Sequence, residues 1–306
     1  MMHHVEEATI RRGLIFGFLA SLTWGTVYVF GKYGSRYADP TFLAFGRSLV
    51  GAVLLAGLAL VAQRAKLREA IRKDFLGLAF LGLTGVFGMS ALSFAAFRYT
   101  SSINVGILMN ANPIFTVLLA RFVGERLSLD KVVGVLVGLA GCALVAAGGT
   151  TEEFVGTRND ILGCVLSLGS GLCWSLYTIC GKRIVRDHGG LAATTWAIIA
   201  GVLFFLAFMP LTGTPATMKP NVLLVILYLG VVPTAIGFLL WYMALALEEA
   251  SHLAPLQFII PLCTVLLGRL FLHERMTYVS IAGMGLVLVG IYVASIRANI
   301  KASSRA

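Results

Sequence analysis

Five cysteines, five histidines and fourteen acidic residues are the groups in this 306-residue chain that could serve as nucleophiles, bases or metal ligands. Their placement fits none of those roles. Cys142, Cys164, Cys173, Cys180 and Cys263 all stand in apolar runs, with no CxxC pair and no histidine cluster beside them, so they read as small core residues. His3, His4 and His188 fall in a tail or a loop, and His252 and His273 at the ends of apolar runs. A membrane hydrolase needs a nucleophile with a base in reach. No HExxH, GxSxG or aspartate dyad occurs. Neither a metal nor a cofactor is expected. What recurs at helical spacing is a recognition face. Gly13, Gly17, Ser21, Trp24, Tyr28 and Gly31 share one side of a helix, and Gly163, Ser167, Ser170, Trp174, Tyr177 and Gly181 repeat it. Small, hydroxyl and aromatic groups in that order can cradle a small solute. The competing reading is close helix packing through small residues.

Further polar groups lie within apolar runs: Ser90, Ser93, Asn104, Asn110, Asn112 and Gln257. Buried amides need partners, which a wet cavity or a neighbouring helix can supply. Phe238 and Trp241 share a face with Thr234. The candidate solute-binding set is therefore Trp24, Tyr28, Ser90, Asn110, Asn112, Trp174, Tyr177, Phe238, Trp241 and Gln257. Trp196, near a run end, reads instead as an interfacial anchor.

The elements that must carry these residues follow from composition. Apolar residues make up 58% of the chain and charged residues 12%, with a mean hydropathy of +0.89. A soluble domain carries about 25% charged residues. A bilayer span needs about 20 apolar residues. Ten runs satisfy this, near 13–33, 41–62, 75–97, 102–121, 130–148, 161–181, 191–210, 221–245, 251–272 and 278–296. The first is too long for a signal-peptide core and is read as a retained span. The expectation is an all-α polytopic membrane protein of ten transmembrane helices. Sixteen Lys and Arg fall on the side shared by both termini and seven on the other, with Arg47 inside the second run. That asymmetry predicts cytoplasmic termini. It also accounts for the net charge of +10 without nucleic acid.

The two halves resemble each other. PIFTVLLARFVGER at 113–126 recurs as PLCTVLLGRLFLHER at 261–275, and Trp24 with Gly31-Lys32 matches Trp174 with Gly181-Lys182. Each half holds five spans, an odd number, so the second enters the membrane from the opposite side. This predicts one transmembrane domain built from inverted five-helix repeats, 13–149 and 160–297, an architecture of secondary transporters. Gly85 and Gly88 interrupt the third run where Pro233 interrupts the eighth, and Pro113 and Pro261 interrupt the fourth and ninth. Matched interruptions point to a binding site or hinge, with a static packing kink as the alternative. The glycines of the fifth and tenth runs, Gly134, Gly138, Gly141, Gly283, Gly285 and Gly290, read as contacts between the repeats.

On Arg47, Pro113 with Glu125-Arg126, and Pro261 with Glu274-Arg275, the chain resembles the drug/metabolite transporter superfamily, in particular its ten-helix EamA-type members. The resemblance covers about 13–297. It departs in the seventh span, which has no counterpart of Arg47. It implies solute transport, commonly export, by alternating access in the bacterial inner membrane. Within the superfamily the chain is most similar to bacterial amino-acid exporters, including the aromatic type.

Every acidic residue lies at or beyond a span end. A proton-coupled exporter of cations calls for an intramembrane carboxylate, and a carrier of phosphorylated solutes for a deep basic cluster. Only Arg47 is available, and its cost inside a span favours a gating role over snorkelling. A zwitterionic or neutral metabolite fits best, with facilitated diffusion as the default. Multidrug or sugar-related transport and a passive channel are the alternatives.

Overall fold

The computed structural model describes residues 2–35, 37–96, 99, 108–109, 112–125, 127–147, 158–212, 220–272 and 278–297. Among them the regular structure is entirely helical. Ten helical segments follow in order: α1 (Met2–Ser35), α2 (Pro40–Ala62), α3 (64–96), α4 (Asn112–Val123), α5 (Leu129–Ala147), α6 (Arg158–His188), α7 (Gly190–Thr212), α8 (Pro220–Leu247), α9 (250–272) and α10 (278–297). They overlap the ten predicted spans; most of 102–111, the first half of the fourth, lies outside the described residues. Six contain stretches long and apolar enough to cross a membrane unaided. The apolar stretches Asn112–Val123, Ala250–Cys263 and Ile281–Ala294 are shorter.

Apolar side chains point outward as well as inward. Val53, Val61, Leu76, Phe122, Leu224 and Leu270 are all exposed, as expected where lipid rather than water is the solvent. The interior instead collects small and hydroxyl residues: Ala20, Ala59, Ala192, Ala193, Ser21, Ser167, Thr194 and Thr195 are fully buried. Buried hydroxyls turn back on their own helices, as with Ser21 to the Gly17 carbonyl at 2.9 Å and Ser167 to Gly163 at 2.8 Å.

The packing repeats with two-fold regularity. α1 lies against α8 and α9 of the second repeat, and α6 lies against α3 and α4 of the first. α2 packs on α7 and α8, as α7 packs on α2 and α3. α5 and α10 run against each other. A Cβ at Gly141 would stand 2.6 Å from the Val287 amide nitrogen and 2.8 Å from the Gly283 carbonyl, and one at Gly290 would stand 2.5 Å from the Gly138 nitrogen. These glycines let two backbones touch, as expected for Gly134, Gly138, Gly141, Gly283 and Gly290. Gly285 departs from that expectation, because its Cβ direction meets open space.

The matched interruptions of the third and eighth spans are π-helical turns, Gly82–Gly88 in α3 and Gly230–Ile236 in α8. They begin 148 residues apart, which is the repeat offset. Pro233 cannot donate to an upstream carbonyl. The Thr234 hydroxyl fills the gap, donating to the Leu229 carbonyl at 2.7 Å. π-turns widen a helix and concentrate at functional sites. In the ninth span the irregularity precedes Pro261, as a 3₁₀ turn over Ala254–Phe258.

Candidate functional site

The two predicted recognition faces meet where α1, α6 and α8 cross. Trp24 and Trp174 stand edge to face with ring centroids 4.9 Å apart. Phe238 lies 5.8 Å from Trp24 and 5.6 Å from Trp174, and Trp241 5.5 Å and 6.2 Å from the same two. Tyr177 stacks on Trp174 at 5.1 Å and on Tyr242 at 4.7 Å. All six rings are buried. Paired aromatic rings contribute about 0.5–1.5 kcal/mol beyond area burial, so the six rings hold the α1, α6 and α8 crossing together. Trp24 and Trp174 touch because glycines let neighbouring helices close in: a Cβ at Gly85 would collide with the Tyr177 ring, and one at Gly237 would stand 2.9 Å from the Trp24 indole nitrogen.

Backbone irregularity supplies the polar part of the site. The Gly237 N–H turns to the Val232 and Thr234 carbonyls, and the Pro233 carbonyl takes the Trp24 indole N–H at 2.9 Å. The repeats are thus joined through a π-turn. Trp241 donates to the Thr178 hydroxyl at 3.3 Å. The Trp174 indole nitrogen, Asn112 Oδ1 and Gln257 Nε2 are buried with no hydrogen-bond partner, as are Gln63 Oε1, His188 Nδ1 and Glu248 Oε2 toward the helix ends. An unpaired buried polar group costs about 1–3 kcal/mol, a cost that a polar solute or water bonded to the Trp174 indole N–H would relieve.

Other candidates divide. Ser90 turns back to the Val86 carbonyl at 2.8 Å. Ser93 faces Ser170 at 2.8 Å across α3 and α6. Asn112 donates to the Met109 carbonyl at 3.0 Å, and its own carbonyl accepts from Ser175 at 2.9 Å. Pro113 is buried beside it at the start of α4 and Pro261 is half-buried. Arg47 is half-buried on α2, its carbonyl 3.0 Å from where a Cβ at Gly230 would sit. Asn110 and the side chain of Tyr28 lie outside the described residues. The Trp196 indole N–H donates to the Leu67 carbonyl at 2.9 Å.

A second cluster, unseen in the sequence, closes the end of the bundle that carries both termini. Gly124 at φ 84° ends α4 in a left-handed turn; its N–H bonds the Arg121 carbonyl and the Glu125 N–H the Ala120 carbonyl at 3.0 Å. This turn aims Glu125 inward, where only 6% of it is exposed. Its carboxylate accepts from Lys182 Nζ at 2.7 Å and from the Ala250 and Ser251 N–H groups, each at 3.0 Å. It thereby caps the N-terminus of α9, where a helix dipole favours an anion. Beside it, buried Lys131 donates to Glu249 at 2.7 Å and to Ser251 at 2.7 Å. His252 Nδ1 lies 3.0 Å from Glu248 Oε1. Repeat-one groups thus hold repeat-two groups at one end. Residue type gave a clue in the recurring Glu-Arg pair, but charge at a span end carries no sign of burial.

The model of the EamA-like transporter family matches residues 11–147 and again 161–296. The chain belongs to the EamA-like transporter family. The family is one of membrane transporters of small solutes, which is not an enzyme class. Among curated relatives of this EamA-type chain, an uncharacterized transporter of Archaeoglobus fulgidus is 29% identical, covering 90% of this chain and 94% of that protein. A probable amino-acid metabolite efflux pump of Escherichia coli is 26% identical, covering 92% and 94%. A solved crystal structure superposes with a TM-score of 0.84 at 21% identity, over 94% of this chain and 97% of that one. That likeness concerns the fold.

Proposed function

We propose that this EamA-type transporter exports small zwitterionic or neutral metabolites, amino acids including aromatic ones, by alternating access. The observation that carries this reading is the six-ring cluster at the α1, α6 and α8 crossing with the unpartnered Trp174 indole donor at its heart. Rings suit a solute's apolar side chain, and an orphan donor suits a carboxylate or carbonyl. The Escherichia coli relative, a probable amino-acid metabolite efflux pump, supports the same class. The test is counterflow in proteoliposomes with a panel of radiolabelled amino acids, sugars and cationic drugs. Saturable counterflow of amino acids, strongest for aromatic ones, is expected. Flux without counterflow means a channel, and counterflow confined to sugars or drugs moves the substrate class.

The proposed orientation puts both termini and the Glu125 closure in the cytoplasm, on the sixteen-to-seven basic asymmetry. A single cysteine placed in the 149–160 loop of a cysteine-free variant should label with an impermeant reagent in intact cells, and one in the C-terminal tail only after lysis. The reverse pattern inverts the topology.

A further inference from the structure

A segment unused by the transport reading lies between α2 and the apolar part of α3. Residues 64–73 read RAKLREAIRK, five cations to one acid. Gln63 (φ −145°, ψ 37°) and Asp74 (φ −129°, ψ 33°) interrupt the helical backbone on either side, so the segment takes its own direction instead of prolonging a span. One face is clamped to the protein. Leu67 and Ala70 are buried, Trp196 bonds the Leu67 carbonyl, and Asp74 is held by Arg183 and by His188, each at 2.6 Å. The other faces expose every cation. Lys73 is paired with Glu69 at 2.6 Å. Among the described residues Arg64, Lys66, Arg68 and Arg72 have no ion-pair partner.

Arg64, Arg68 and Arg72 follow one another at four-residue spacing, about 6 Å apart along the axis. Like charges at that spacing repel, and the clamp prevents them from dispersing. A counter-anion relieves the repulsion. Arg68, Glu69, Arg72, Lys73 and Ala65 line a shallow groove that could seat one. The flanking residues set its depth. Exposed Leu60 and Val61 precede the segment, and exposed Phe75 and Leu76 follow it. These apolar groups belong in hydrocarbon, so the cations between them stand at headgroup level.

We propose that residues 64–73 bind the phosphates of anionic phospholipid headgroups, chiefly through Arg64, Arg68 and Arg72. Each such cation near an anionic membrane surface strengthens binding about fivefold. The proposal holds for either orientation and does not depend on the transported solute. The experiment is native mass spectrometry of detergent-purified protein titrated with phosphatidylglycerol and phosphatidylcholine, at low and high salt. Wild type should retain phosphatidylglycerol preferentially, with the preference shrinking in salt. The R64Q/R68Q/R72Q variant should lose about a hundredfold of it, and R186Q, which removes an exposed cation outside residues 64–73, should leave it unchanged. If the triple variant is not monodisperse, R68Q alone should lose about fivefold. An unchanged preference in the folded triple variant or in R68Q overturns the proposal. So does inorganic phosphate displacing the lipid at equal concentration, which would assign the groove to a soluble anion.

Discussion

Solute affinity should fall roughly tenfold when Trp24 is replaced by alanine, and more for aromatic than for small solutes. Two contributions set the size. A ring lost from a ligand contact removes about 0.5–1.5 kcal/mol beyond area, and 1.4 kcal/mol is a decade in affinity. Trp24 also anchors the π-turn of α8 through the Pro233 carbonyl. Trp24→Phe therefore keeps a ring but frees that carbonyl, and its affinity should lie between wild type and Trp24→Ala. Trp174→Ala should behave like Trp24→Ala, since the two rings occupy equivalent positions and touch. Both alanine variants also leave a cavity, at a cost of about 3–5 kcal/mol for a buried tryptophan, so folded yield will drop. Affinity must therefore be measured on monodisperse detergent-purified protein. Normal affinity for every solute in all three variants would leave the cluster a packing role alone.

Replacing Glu125 with glutamine should loosen the terminus-bearing end of the bundle. The carboxylate holds three donors at once: Lys182, Ala250 N–H and Ser251 N–H. An amide oxygen can keep one or two of them, but Lys182 loses its countercharge. A charged hydrogen bond is worth about 1.5–3 kcal/mol. Lys182 is 29% exposed and can turn to water, so the lower half of that range is expected. Hydrogen exchange at Ala250 and Ser251 should rise, because the cap of α9 is weakened. Unchanged protection of both amides would show that the cap is not maintained by Glu125. The same group sets a pH response. Burial pushes its carboxyl up, but the charge and hydrogen bond of Lys182 and the Ser251 hydrogen bonds outweigh this and hold it below its ordinary value. A depressed carboxyl stabilises above its unfolded-state pKa and loses that stabilisation as pH falls through the folded-state value. Wild type should therefore lose this part of its thermal stability only on acidification below the usual carboxylate range. Glu125→Gln should lack it at neutral pH and show a flatter profile, read from melting temperatures between pH 7 and about 2.

Much of the architecture was present in residue order. Ten apolar runs became ten helical segments because a helix satisfies every backbone group inside lipid. Repeat offset and odd span count announced inversion. Gly85, Gly88 and Pro233 foretold irregular backbone at equivalent depths, since glycine and proline each weaken the helical ladder locally. Gly134, Gly141 and Gly290 foretold the α5–α10 contact because only a missing Cβ allows such approach.

Contact between elements was not written there. Periodicity shows which residues share a helix face, but not how far the opposing face stands. Two tryptophan stripes could line a cavity or close on each other, and the crossing of α1, α6 and α8 decided that they meet. Glu125 was one of fourteen acids at span ends. The left-handed turn at Gly124 and the start of α9, 125 residues further on, buried it and made it a cap. Sequence alone determined the helices, their inversion and their weak points, because these follow from local propensity and solvent. Which side chains met was decided by tertiary packing, because burial and partner depend on helices far apart in the chain.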